Sequence, residues 1–157
     1  MATSITISQD YLIPRDLLFR ISQDPTLRLE WDYFLTKIEL LNNATRFDKG
    51  VSVITLGKKG GLMKTLYTEY LEPKKIAVVM LNHSKIFKTF EGQWLYHETL
   101  PSGCRLTITY CFELRFPFYL IKPLIKRKLQ HINHERLLSL KNYCENKKMA
   151  NSLKQVF

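Results

Sequence analysis

Polar and apolar positions first alternate in "TSITISQD", where Ile5 and Ile7 stand among polar neighbours with the period of a half-buried strand. The period then lengthens. "IPRDLLFRIS" has helical spacing behind Pro14, and "DPTLRLEW" offers Asp24 as an N-cap with Pro25 at the first helical position. Two short helices are therefore predicted after the first strand.

From Phe34 the pattern returns to strand-like runs, over 34–41, 51–57, 62–71, 76–82, 86–100 and 104–114. The segments between them, "NNATRFDKG", "KKGG", "EPKK", "NHSK" and "PSG", carry the Gly, Pro, Asn and Ser of tight connections. Short links join antiparallel neighbours, so a six-strand meander is expected. With "PSG" as a three-residue loop, Tyr96 faces Ile108, Trp94 faces Tyr110 and Gly92 faces Phe112. One face then collects Phe90, Trp94, Tyr96, Leu106, Ile108, Tyr110 and Phe112, and the other is polar. The hairpin of 62–71 with 76–82 is less one-sided, because Leu66 and Leu81 oppose Tyr67 and Met80; the pattern favours Tyr67 and Met80 inside.

After Pro117 a helix is expected to run to about Lys147, with Pro123 near its start, where proline is tolerated. At about 100° per residue, Phe118, Ile121, Ile125, Leu129, Ile132, Leu140 and Tyr143 share one stripe, which should face the sheet. His131 and His134 of "HINHE" point off it. Zinc-dependent helices use H-E-x-x-H or H-x-x-E-H, and this order is neither, so a solvated helix face is expected and no metal. Arg136 is the anomaly, since it lies within the stripe. It is either a snorkelling or paired arginine, with Glu69 as one candidate partner, or a group that meets a polar or anionic ligand.

The 157 residues suit one domain, 1–157, with a core over 3–147 and a tail over 148–157 that can trail. Lys+Arg 24 against Asp+Glu 14 gives a formal charge of +10, which brings nucleic acid or an acidic membrane surface into consideration. Three cysteines form no even framework, and Cys104 and Cys111 point to opposite sides of one strand, so a reducing cytoplasm is expected. Neither a secretory leader nor a membrane span is expected from the pattern.

The order of strand, two short helices, meander and long last helix resembles the helix-grip fold of the START-related superfamily, in its polyketide cyclase/dehydrase and coenzyme Q-binding style. The residues that carry the resemblance are "DPTLRLEW", "EYLEPKKIAVVM" with Pro73 at a strand turn, and "FEGQWLYHETLPSGCRLTITYCFEL" leading into the helix. The resemblance implies an α+β domain whose curved antiparallel sheet wraps the helix around a hydrophobic ligand or lipid. Carried onto this chain, the lining is Trp31, Tyr67, Met80, Phe90, Trp94, Tyr110 and Phe112 from the sheet side, and Ile121, Ile125, Leu129, Ile132 and Arg136 from the helix. Plain core packing is the alternative role for all of them.

Enzymes of the superfamily share no invariant catalytic set, and the inner face of the sheet and helix offers tyrosines and one arginine but no histidine and carboxylate pair. Ligand binding is therefore expected ahead of catalysis, with no catalytic residue and no cofactor assigned. Because meander turns alternate ends, Lys58, Lys59, Lys85, Lys122, Lys126, Arg127 and Lys128 should gather at one pole, suited to an anionic membrane. One superfamily branch comprises ribosome-associating toxins, but the polar strand faces lack interleaved aromatic and basic residues, so RNA is ranked below lipid as a partner.

Overall fold

The computed structural model describes the backbone over residues 2–156 and side chains over 2–147. Seven antiparallel strands form one curved sheet in the order β1-β7-β6-β5-β4-β3-β2, comprising β1 (Thr3–Tyr11), β2 (Leu35–Leu40), β3 (Ser52–Gly57), β4 (Leu62–Leu71), β5 (Lys75–Met80), β6 (Phe87–Thr99) and β7 (Gly103–Leu114). Helices α1 (Arg15–Ser22) and α2 (Pro25–Trp31) connect β1 to β2, and a 3-10 turn (Phe118–Ile121) leads into α3 (Lys122–Val156). The tail expected beyond Lys147 concerns side chains outside those described; its backbone continues α3 to Val156.

Local chemistry explains the starts and turns. The Asp24 carboxylate accepts from the backbone N–H groups of Thr26 and Leu27 at 2.9 and 3.0 Å, capping α2 with Pro25 in its first turn. Asn42 and Asn43, at φ 56° and 60°, turn the chain after β2 in the left-handed region that asparagine tolerates. The connection between β2 and β3 is not idle, because it buries Phe47, stacked on Tyr67 with ring centroids 5.1 Å apart.

The β6–β7 hairpin has the expected faces in a different register. Its turn is Leu100–Ser102 rather than 101–103, so Trp94 pairs with Ile108 and Gly92 with Tyr110. Moving the turn by one residue shifts pairing by two, which preserves every inward residue. Gly103 thereby enters the strand, where a Cβ would stand 2.7 Å from the Tyr11 carbonyl oxygen. In the β4–β5 hairpin an irregularity between Tyr67 and Glu69 sets Tyr67 opposite Val78 and Thr65 opposite Met80, placing Tyr67 and Met80 on the concave face.

The helix presents a rotated face. Asn133, Leu137, Leu140 and Cys144 are its buried line, while Ile125, Leu129, Ile132, Arg136 and Tyr143 are only half-buried along one flank. Docking beside β1 sets this rotation, for the Tyr11 hydroxyl donates to the Leu137 carbonyl at 2.8 Å and Ser139 donates to the Trp31 carbonyl from the other side. Ile121, expected to face the sheet, is 46% exposed because its segment is a 3-10 turn of different periodicity.

Candidate functional site

Two layers of polar residues lie against the concave face. In the first, Gln23 follows α1 and is itself buried. Its amide nitrogen donates to the Tyr96 hydroxyl at 2.9 Å, and its amide oxygen accepts from the Tyr67 hydroxyl at 3.1 Å. Ser22 donates to the Phe19 carbonyl at 3.2 Å, which leaves Tyr96 as the donor in the 2.7 Å contact between the two hydroxyls. Burial pushes the phenols of Tyr67 and Tyr96 far above the ordinary tyrosine range. These groups satisfy one another and form a rigid floor.

The second layer is charged. Asp32, the residue after α2, is fully buried, and its Oδ2 lies 3.1 Å from Nε of Arg136 and 3.4 Å from Nε of Arg28. Asp32, not Glu69, is thus the partner of Arg136; Glu69 pairs with Lys75 at 2.6 Å. Nη1 of Arg136 donates to Oδ1 of Asn133 at 3.0 Å, and the Asn133 amide donates back to the Leu129 carbonyl at 2.8 Å, so one buried asparagine orients the arginine. Arg136 lies over the Phe34 ring at 5.8 Å and Arg28 over Trp94 at 5.3 Å. Burial is the largest single influence on Arg136 and lowers its pKa, but Asp32 and Tyr110 together outweigh it and hold the guanidinium above its ordinary value.

Of the residues anticipated as lining, Trp31, Tyr67, Trp94, Tyr110 and Phe112 are buried in the core. Met80, Phe90, Ile125, Leu129, Ile132 and Arg136 keep part of their surface, on the concave side and the facing flank of α3. Sequence reasoning missed Arg28, Asp32 and Asn133. The i,i+4 spacing of Arg28 and Asp32 was a readable signal on a helix, whereas their meeting with Arg136 depends on tertiary packing.

At one end of the sheet the register gathers the 58–61 turn, the 81–86 segment and the start of α3. Arg115 ties two of these together, donating from Nε to the Ser84 carbonyl at 2.9 Å. Lys58, Lys59, Lys85, Lys122, Arg127 and Lys128 are exposed at this pole, and Lys126 is half-buried. Among them stand large exposed apolar side chains that lie outside the expected stripe: Phe116 at 73%, Tyr119 at 52%, Leu120 at 65% and Leu124 at 63%. His131 and His134 are solvent-facing farther along α3.

Compared with known proteins, the sequence matches no family model and no curated protein. Solved structures do match. A START superfamily protein from Mycobacterium smegmatis aligns over 91% of this chain and 97% of its own, at TM-score 0.77 and 13% identity. The Streptomyces aromatase/cyclase Zhui aligns over 94% and 96%, at TM-score 0.77 and 15% identity. The chain has the START-related helix-grip fold. Another helix-grip structure, norcoclaurine synthase of Thalictrum flavum in complex with dopamine and hydroxybenzaldehyde, aligns over 92% of this chain and 88% of its own, at TM-score 0.68 and 13% identity. Within the helix grip of the present chain, the half-buried apolar groups and Arg136 occupy the region between sheet and long helix.

Proposed function

We propose that this protein binds a hydrophobic small molecule or lipid between the concave sheet face and α3, as a cytoplasmic carrier that docks on anionic membranes. The observation that carries the reading is the unequal closure of the grip. Ile5, Tyr11, Leu106, Ile108, Leu137 and Leu140 are sealed, whereas Met80, Phe90, Ile125 and Ile132 keep accessible apolar surface on facing elements. An apolar ligand would remove that surface from water at about 25 cal/mol per Å². The Zhui aromatase/cyclase and the norcoclaurine synthase complex with dopamine and hydroxybenzaldehyde make a small organic ligand a natural occupant of this fold.

Membrane docking has its own support. Phe116, Tyr119, Leu120 and Leu124 are exposed beside Lys122, Arg127 and Lys128, the combination that partitions into an anionic lipid interface. No described helix is long and apolar enough to cross a membrane, so the contact would be peripheral. Exposed leucines favour a lipid surface over an RNA backbone, which needs charge alone. Cyclase-type catalysis is the alternative for the grip; the mutual pairing of Tyr67, Gln23, Tyr96 and Ser22 favours a binding floor over free acid and base groups.

Two measurements test the proposal. Native mass spectrometry of protein purified from its own host should show a bound apolar mass that solvent extraction releases; persistently empty protein would count against a carrier. Vesicle sedimentation should rise when phosphatidylserine is added to phosphatidylcholine, fall with salt, and drop in Leu120→Ser/Leu124→Ser. Equal weak binding to both vesicle types at low salt would remove the membrane part.

A further inference from the structure

Arg28, Asp32 and Arg136 form a cluster that does not satisfy itself. Two guanidinium groups lean on one carboxylate, and both approach the same oxygen, Oδ2. One positive charge is left in excess where the side chains are only 14% and 15% exposed and Asp32 is at 0%. The hydrogen bonding is incomplete as well. Nε of Arg136 is 3.1 Å from Oδ2 as an ion pair and Tyr110 is a further neighbour of the guanidinium, yet both this Nε and Oδ1 of Asp32 are buried without a hydrogen-bond partner.

Buried polar groups are ordinarily satisfied, and an uncompensated buried charge is costly. The arginines are nonetheless held firmly, Arg136 by Asn133 and the face of Phe34, and Arg28 by the face of Trp94. A site of fixed donors with one charge in excess is matched by a monoanion with two acceptor oxygens. A carboxylate has that geometry and charge, and arginine binds it through paired N–H groups. Ile132 and Leu129 precede Arg136 along α3 on its half-buried flank, so an apolar body attached to the carboxylate would lie against them.

We propose that the Arg28–Asp32–Arg136 cluster is a head-group site for the carboxylate of an amphipathic ligand whose apolar body lies between the sheet and α3. This rests on the carrier reading and names the class of ligand.

The test compares cis-parinaric acid with its methyl ester by probe fluorescence, in wild-type protein and in Arg136→Met and Arg28→Met. The acid should bind roughly tenfold or more tightly than the ester, as expected for a charge-assisted hydrogen bond. Either substitution should abolish the preference for the acid over the ester. Equal binding of acid and ester to wild type overturns the head-group site while leaving an apolar carrier standing. Binding of neither overturns both. A preference for the acid that survives in both variants places charge recognition elsewhere and overturns the assignment. The wild-type comparison needs no variant to fold, and Arg136→Lys, which keeps the charge but loses the fork, should retain only part of the preference.

Discussion

Asp32 is fully buried and holds two arginines through a single oxygen, Arg136 at 3.1 Å and Arg28 at 3.4 Å. The two sides of this arrangement are not equivalent. Asp32→Ala leaves two buried guanidinium groups without their carboxylate and should destabilise by about 3–5 kcal/mol, the range for breaking a buried pair from one side. Arg136→Leu leaves Asp32 with Arg28 and removes the excess charge, so its cost should be clearly smaller. Urea unfolding of the two variants decides this, and equal losses would mean that Arg28 does not support Asp32.

Much of the fold was legible because periodicity and turn chemistry act locally. The polar and apolar faces of β6 and β7 survived a mistaken turn position, since a shift of pairing by two keeps every residue on its face. The helix face was harder to read. A wheel drawn from apolar residues alone centred on Ile125, Ile132 and Arg136, but the helix buries Asn133, Leu137 and Cys144, a choice made by Tyr11 and Trp31 from distant elements. The same limit hid the candidate site. Arg136 was conspicuous as a charge among apolar residues, while Asp32 was readable only through its i,i+4 spacing from Arg28 and not as the partner of Arg136. The exposed Phe116, Leu120 and Leu124 were also readable in principle, because apolar residues there exceed the width of one stripe.

The cap of α2 can be tested apart from the site. Asp24 accepts from two backbone N–H groups, so Asp24→Ala should cost about 1 kcal/mol. Asp24→Asn or Asp24→Ser should recover most of it, because each also caps. Thermal melts of the three variants measure this, and no recovery by either substitute would mean that the carboxylate acts through something other than capping.

Alkaline stability should follow the buried phenols. Tyr11, Tyr67 and Tyr96 have pKa values raised above the ordinary value of 10.0, with desolvation the largest cause in each. Their neutral forms are favoured in the folded state, so their contribution is fully present below pH 10 and is lost as pH rises beyond it toward their folded values. Circular dichroism and tyrosinate absorbance should therefore change together for these three residues at high pH. Tyr11→Phe should weaken the pH dependence while costing about 1 kcal/mol at neutral pH through its lost bond to Leu137. Ionisation of all three phenols with the fold intact would contradict the expected coupling.

Gly92 and Tyr110 face each other across β6 and β7, and the tyrosine ring occupies the space that a side chain at position 92 would need. A Cβ there would stand 2.5 Å from Cε1 and 2.7 Å from Cδ1 of Tyr110. Gly92→Ala must therefore move the ring, at an expected cost of about 1–3 kcal/mol for overpacking. The ring borders Arg136, so its displacement should also weaken binding of cis-parinaric acid more than binding of the methyl ester. A double-mutant cycle isolates the cause: in a Tyr110→Ala background the ring is gone, and Gly92→Ala should cost only a few tenths of a kcal/mol. If the alanine costs as much in that background as in the wild type, the obstacle is the backbone of the sheet, and Gly92 has no part in positioning the ring beside Arg136.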